Sequence, residues 1–240
     1  MGSQSVLSLL PAALRHAVVE RGHKPRRERR RFVSGLPALD ELLPGGSFVA
    51  GAAHELLVQP QHPTPLLFAA ILARSAAASG GAVAWLDARH DVYPPALAAA
   101  GIPIERLHLL RPRRAAEVVP AVTECCRCAG VAATVAELSY LSRVEARRLQ
   151  LAAEQGGGVG ILIRRTGRAA TFYAAATRWL VAPRAGDASV RRWDVQLLHG
   201  HGGHVGQAVI LEVNRETNHV RAVEALAHRP AAPQATPVPA

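Results

Sequence analysis

An α/β fold is what this sequence predicts: a mainly parallel, doubly wound sheet that finishes in an antiparallel hairpin. Three observations carry it. Strand-like and helix-like segments alternate from about residue 54 to residue 163, and alternation at this spacing is the pattern of right-handed βαβ units. Residues 159–163 are apolar without alternation, as a strand covered on both faces must be. Glycine clusters punctuate the segments, and both Ser79-Gly80-Gly81 and Gly156-Gly157-Gly158 fall where a helix should stop.

Taken in order, residues 3–20 read as an amphipathic helix, with Val6, Leu10, Leu14 and Val18 near one face and Pro11 in its first turn or interrupting it. A basic run follows: Arg21, Lys24, Arg26, Arg27, Arg29, Arg30 and Arg31, opposed by Glu28. Like charges this dense repel one another and stay solvated, which predicts an exposed arm. From residue 32 the expected elements are a strand at 54–58, a helix at 66–78, and a strand at 82–86 ending on Asp87. A helix at 95–100 starts with Pro and is followed by Gly101. A strand at 107–110, a helix at 115–129, a strand at 131–138, a helix at 143–155 and the strand at 159–163 complete the alternation. Strands at 193–198 and 207–213 flank His199-Gly200-His201-Gly202-Gly203-His204, a hairpin signal. Beyond Arg229 the Pro- and Ala-rich chain predicts disorder. The expected division is therefore an arm (1–31), one domain (32–228) and a tail (229–240).

Composition narrows the classes. With 49% hydrophobic but 4% aromatic residues, the core must be mainly Ala, Val, Leu and Ile. The net charge of +10 suggests an anionic partner, nucleic acid first, although an Arg- and Ala-rich chain also follows from a GC-rich genome. Cys125, Cys126 and Cys128 have neither disulfide nor zinc-ligand spacing and read as small apolar packing residues in a reducing cytoplasm. No apolar stretch is long enough for a membrane span. The N-terminus lacks a secretory pattern, and Val6 stands where a myristoylation signal needs Ser or Thr. The histidines of the Gly-rich turn have no carboxylate beside them to orient a metal ligand, so they read as a hairpin tip. No metal and no cofactor are expected.

The order of motifs carries a resemblance. Ser34-Gly35-Leu36-Pro37-Ala38-Leu39-Asp40-Glu41-Leu42-Leu43-Pro44-Gly45-Gly46 resembles the segment that opens a RecA core. Trp85-Leu86-Asp87-Ala88-Arg89-His90, then Pro94, resembles the strand end that carries the RecA catalytic glutamate, and Gly101-Ile102-Pro103-Ile104-Glu105-Arg106-Leu107 with Arg111-Pro112 continues the match. Over roughly residues 32–215 the pattern is similar to the ImuA family, RecA-like accessory factors of bacterial mutagenic translesion synthesis induced by the SOS response. The resemblance implies a RecA-like fold in the cytoplasm. Its implied partners are an ImuB-type polymerase-like protein, RecA, an error-prone replicative-type polymerase and single-stranded DNA.

Two losses set the expected chemistry. A phosphate loop needs convergent backbone N–H groups, then Lys, then Ser or Thr for magnesium. The matching stretch is Gln59-Pro60-Gln61-His62-Pro63-Thr64-Pro65: no glycine, no lysine, and three prolines without donors. Thr64 stands where the magnesium hydroxyl is expected. Arg89 stands after Asp87-Ala88 in place of the glutamate that orients water. Glu137, at the strand end, is either a remnant of the magnesium-organising acid or a solvated carboxylate. Positioning and charge neutralisation carry phosphoryl transfer, so the expectation is a pseudo-ATPase, not an enzyme. A diverged ATP-dependent recombinase and a SulA-like cell-division inhibitor are the alternatives.

Two binding surfaces are expected. Arg164, Arg165, Arg168, Arg191 and Arg192, with Arg178 and Arg184 and the aromatics Phe172, Tyr173, Trp179 and Trp193 interleaved, suit single-stranded DNA; the tryptophans read equally as core. Leu10, Leu14 and Val18 form a helical stripe that suits a partner protein.

Overall fold

The computed structural model describes residues 30–167 and 175–226. The architecture is α/β, and a nine-stranded mixed sheet organises it. Two short strands, β1 (Arg31–Phe32) and β2 (Phe48–Val49), pair antiparallel and bracket helix α1 (Pro37–Asp40). Then come β3 (Ala52–Val58), α2 (Leu66–Ala76), β4 (Ala82–Leu86), α3 (Pro94–Ala99), β5 (Leu107–Leu110), α4 (Ala115–Arg127), β6 (Val131–Glu137), α5 (Arg143–Gly156) and β7 (Val159–Arg165). The chain ends in four long strands: β8 (Thr177–Arg184), β9 (Val190–Gly200), β10 (Ala208–Asn214) and β11 (Val220–Leu226).

The strand order is β11-β10-β9-β8-β3-β7-β6-β4-β5. The six strands from β8 to β5 run parallel, and β8 to β11 form an antiparallel extension. The carboxyl ends of the parallel strands therefore share one edge of the sheet.

Each face carries its own core. On one, α2 packs with Leu56, Val58, Val83, Trp85, Ile161 and Ile163. The opening segment is tied beneath it: the Asp40 carboxylate accepts the Ser34 N–H at 2.9 Å, and the Ser75 hydroxyl on α2 donates to the Ser34 carbonyl. Burial holds the Asp40 carboxyl above the usual carboxylate range. On the other face α4 and α5 pack over Ala53, Ala84, Ala136 and Leu162. The two cores fit the alanine-rich composition, since small side chains let helices approach the sheet closely. Cys125, Cys126 and Cys128 are all buried in the second core.

Most expected elements occur within a residue or two of their expected bounds. At the end of α5 two of the three glycines have different reasons. Gly157 adopts φ 76° as the helix C-cap, while a Cβ on Gly158 would meet the Val131 carbonyl at 2.3 Å. Besides the short β1 and β2, two strands of the nine-stranded sheet were not expected. The stretch 177–184 is a full strand between β3 and β9, and 220–226 adds the sheet's last strand. The antiparallel extension presents Trp193, Val195, Leu211, Val213 and Val220 to Pro65, Leu67, Phe68 and Ile71 at α2. Trp179 is fully buried, its ring tilted against Phe48 with centroids 5.8 Å apart, so it is core and not a stacking platform. Among the described residues no helix is long and apolar enough to cross a membrane.

The stripe Leu10, Leu14 and Val18, the basic arm up to Arg29, and Arg168 lie outside the described residues, as does the tail from residue 227.

Candidate functional site: a closed loop at the carboxyl edge

The stretch 59–65 joins the carboxyl end of β3 to α2, the place where an α/β sheet offers a phosphate site. Its local chemistry points the other way. Pro60, Pro63 and Pro65 have no N–H, and the His62 N–H is spent on the Gln59 carbonyl at 3.0 Å. No residue from 59 to 65 has positive φ, so the backbone makes no left-handed anion nest. Instead it turns carbonyls inward. The carbonyl oxygens of Gln59, Pro60 and His62 lie 3.4, 3.4 and 2.5 Å from one guanidinium nitrogen of Arg165, at the end of β7. A loop with this polarity holds a cation.

Beside it the remaining candidates converge. Arg165 donates to the Thr64 hydroxyl at 2.9 Å, and Thr64 donates to the Glu137 carboxylate at 3.2 Å. Arg89 binds Glu137 in a fork, with contacts of 3.2 and 2.7 Å; its Nε pairs with Asp91 at 3.0 Å. Arg165 Nε lies 3.4 Å from Glu137 as well. Two guanidiniums thus meet two carboxylates, and the hydroxyl expected for magnesium is occupied by side chains. The cluster has no net positive charge to offer a triphosphate.

Asp87 plays a separate part. Its side chain is buried and accepts the backbone N–H groups of Asp91 and Val92 at 3.0 and 3.4 Å, while Arg111 pairs with it at 3.2 Å. It shapes the turn after β4 and anchors the end of β5.

The basic set divides. Arg164 does not face solvent: its side chain is 1% exposed, and it pairs with Glu55 on β3 at 2.8 Å. That is a correction to its expected DNA contact, because a buried, ion-paired guanidinium presents no charge to an outside phosphate. Arg178 on β8 pairs with the other Glu55 oxygen at 2.9 Å. Sequence reasoning passed over Glu55, although a carboxylate in a strand buried along its whole length calls for a cation beside it. Arg165 is committed to the loop. Arg191 is exposed. Arg192 on β9 pairs with Glu212 at 2.7 Å and with Asp187 at 3.5 Å, and Arg221 holds the second Glu212 oxygen at 2.7 Å; the two guanidiniums hold the Glu212 carboxyl below the usual carboxylate range.

The histidines of the turn do not gather into a ligand set among the described residues. His199 and His201 stack edge to face at 4.9 Å. Burial, then the neighbouring His201 and Arg178, lowers the pKa of His199.

No family profile matches the chain. It is 33% identical over 193 residues to Protein ImuA from two strains of Caulobacter vibrioides, with 72% of this chain and 79% of each relative covered. Identity at this level over most of both chains places this one with those relatives: it belongs to the ImuA family.

Proposed function

We propose that this chain is a non-catalytic accessory factor of DNA-damage tolerance, a RecA-like domain that works by docking partners rather than by turning over ATP. Its main partner is an ImuB-type polymerase-like protein. RecA, an error-prone replicative-type polymerase and damaged single-stranded DNA complete the assembly in mutagenic translesion synthesis. Membership of the ImuA family supports the pathway.

One observation carries the loss of catalysis: the Arg89–Glu137–Thr64–Arg165 cluster fills the carboxyl edge of the sheet beside the loop at 59–65. Phosphoryl transfer needs cations free to neutralise phosphate and an acceptor to orient water. Here the cations are committed to acids, and a guanidinium stands where the acceptor is expected.

Affinity capture of an ImuB-type protein from the same organism, with and without ATP and magnesium, tests the reading. Recovery should be equal in both conditions. Leu14→Asp should abolish it while leaving the melting temperature nearly unchanged, since that stripe is assigned to the partner. Capture that requires ATP would overturn the proposal.

A further inference from the structure

The carboxyl edge of the parallel strands carries charge and aromatic surface that the closed loop does not use. The connection from β5 to α4 is Arg111-Pro112-Arg113-Arg114. Arg111 is committed to Asp87. The guanidiniums of Arg113 and Arg114 are exposed and meet no carboxylate among the described residues; Glu117 instead accepts their backbone N–H groups at 3.1 and 3.3 Å, which fixes the loop without neutralising the side chains. Arg143, at the start of α5, is likewise exposed without an acidic partner among the described residues.

Two tyrosines stand on the same edge. Tyr93 follows the turn after β4 and is 68% exposed; Tyr140 follows β6 and is 66% exposed. Their strands are neighbours, with Leu86 opposite Ala136, and β5 lies on the far side of β4. At about 4.8 Å per strand, the loops after β6 and β5 lie about 10 Å apart. Arg89, half-exposed and bridging to Glu137, links the turn after β4 to the end of β6.

Large aromatic surface left in water is not explained by packing, and uncompensated arginines beside it attract an anion. A ligand that satisfies both has flat rings and a regular negative backbone. We infer that this rim, from Tyr140 and Arg143 past Tyr93 to Arg113 and Arg114, binds single-stranded nucleic acid: bases stack on the tyrosines and phosphates meet the arginines. The inference deepens the DNA-contacting part of the proposed function and moves it away from Arg164 and from the β9 end of the sheet.

Fluorescence anisotropy of the full chain with a labelled oligothymidine at low salt tests it. Tyr93→Ala and Tyr140→Ala should each weaken binding roughly tenfold. Arg113→Gln combined with Arg114→Gln should flatten the salt slope by about 1.4, the value for two phosphates of a single strand. Arg191→Gln, at the β9 end, should change nothing. All these side chains are exposed, so unfolding curves should superimpose. Binding that is lost in Arg191→Gln but kept in the rim variants overturns the rim while leaving DNA contact in place. No binding at low salt overturns both. Polyglutamate that competes as well as the oligonucleotide, with the tyrosine variants unaffected, overturns the inference in favour of an acidic protein surface.

Discussion

Arg89 and Glu137 face each other across the carboxyl ends of two adjacent strands, guanidinium to carboxylate at 2.7 Å. The resemblance to RecA expects a glutamate at the first position, to orient water. The exchange of one acid for a base does more than delete that acceptor. It locks the neighbouring acid, and with Arg165 it fills the space in between. Restoring the acid alone should therefore not restore chemistry. Arg89→Glu should release no phosphate from ATP above background, because the loop at 59–65 still has no lysine and still offers carbonyls. It should also lose a modest amount of stability, about 1 kcal/mol or less at this half-exposed site. Phosphate-release assays and denaturant melts check the two parts.

The two acidic centres should respond very differently to mutation. Glu55 is buried between Arg164 and Arg178, at 2.8 and 2.9 Å. Glu55→Gln removes the buried carboxylate that pairs with both guanidiniums and should cost about 3–5 kcal/mol in urea unfolding. Glu137, 26% exposed, is screened, and Glu137→Gln should cost about 1 kcal/mol or less. Equal costs would contradict the assignment of Glu55 as the structural acid.

Acid should weaken the fold through His54. The imidazole is fully buried beside Phe48, between the Thr177 hydroxyl at 2.8 Å and the Val49 carbonyl at 2.9 Å. Burial pushes its pKa down to about 4. Between that value and the ordinary 6.5, the unfolded chain takes up a proton that the folded chain refuses. Stability is then complete above about pH 6.5 and falls as the pH drops towards 4, by roughly 3 kcal/mol over the window. His54→Gln, uncharged throughout, should flatten that limb in melts taken from pH 7 to 4.

The cysteines should be silent in the native state. Burial pushes Cys126 up to about 12 and raises Cys125 further, which leaves almost no thiolate at neutral pH. Iodoacetamide should label none of the three in buffer and all three in denaturant, as read by intact mass.

Much of the architecture is legible in the residues. The strands at 82–86 and 107–110 are bounded by Gly81 and Asp87 and by Arg106 and Arg111, and their limits coincide with β4 and β5. The candidate loop was legible too, because prolines and a missing lysine are local facts. What was not legible depends on partners distant in sequence. In β8 the charged Arg178 reads as part of a basic surface until Glu55, 123 residues away, pairs with it. Arg164 reads as a surface cation for the same reason. The filling role of Arg165 requires the ends of β3, β6 and β7 to meet, which no window of sequence contains.

The most direct test of the central claim is equilibrium binding of a labelled ATP analogue, with magnesium, to the full chain. The closed, charge-compensated cluster predicts no saturable binding up to roughly 1 mM, an interaction weaker than about 4 kcal/mol. A Kd in the low micromolar range, or steady hydrolysis by the pure protein, would contradict it.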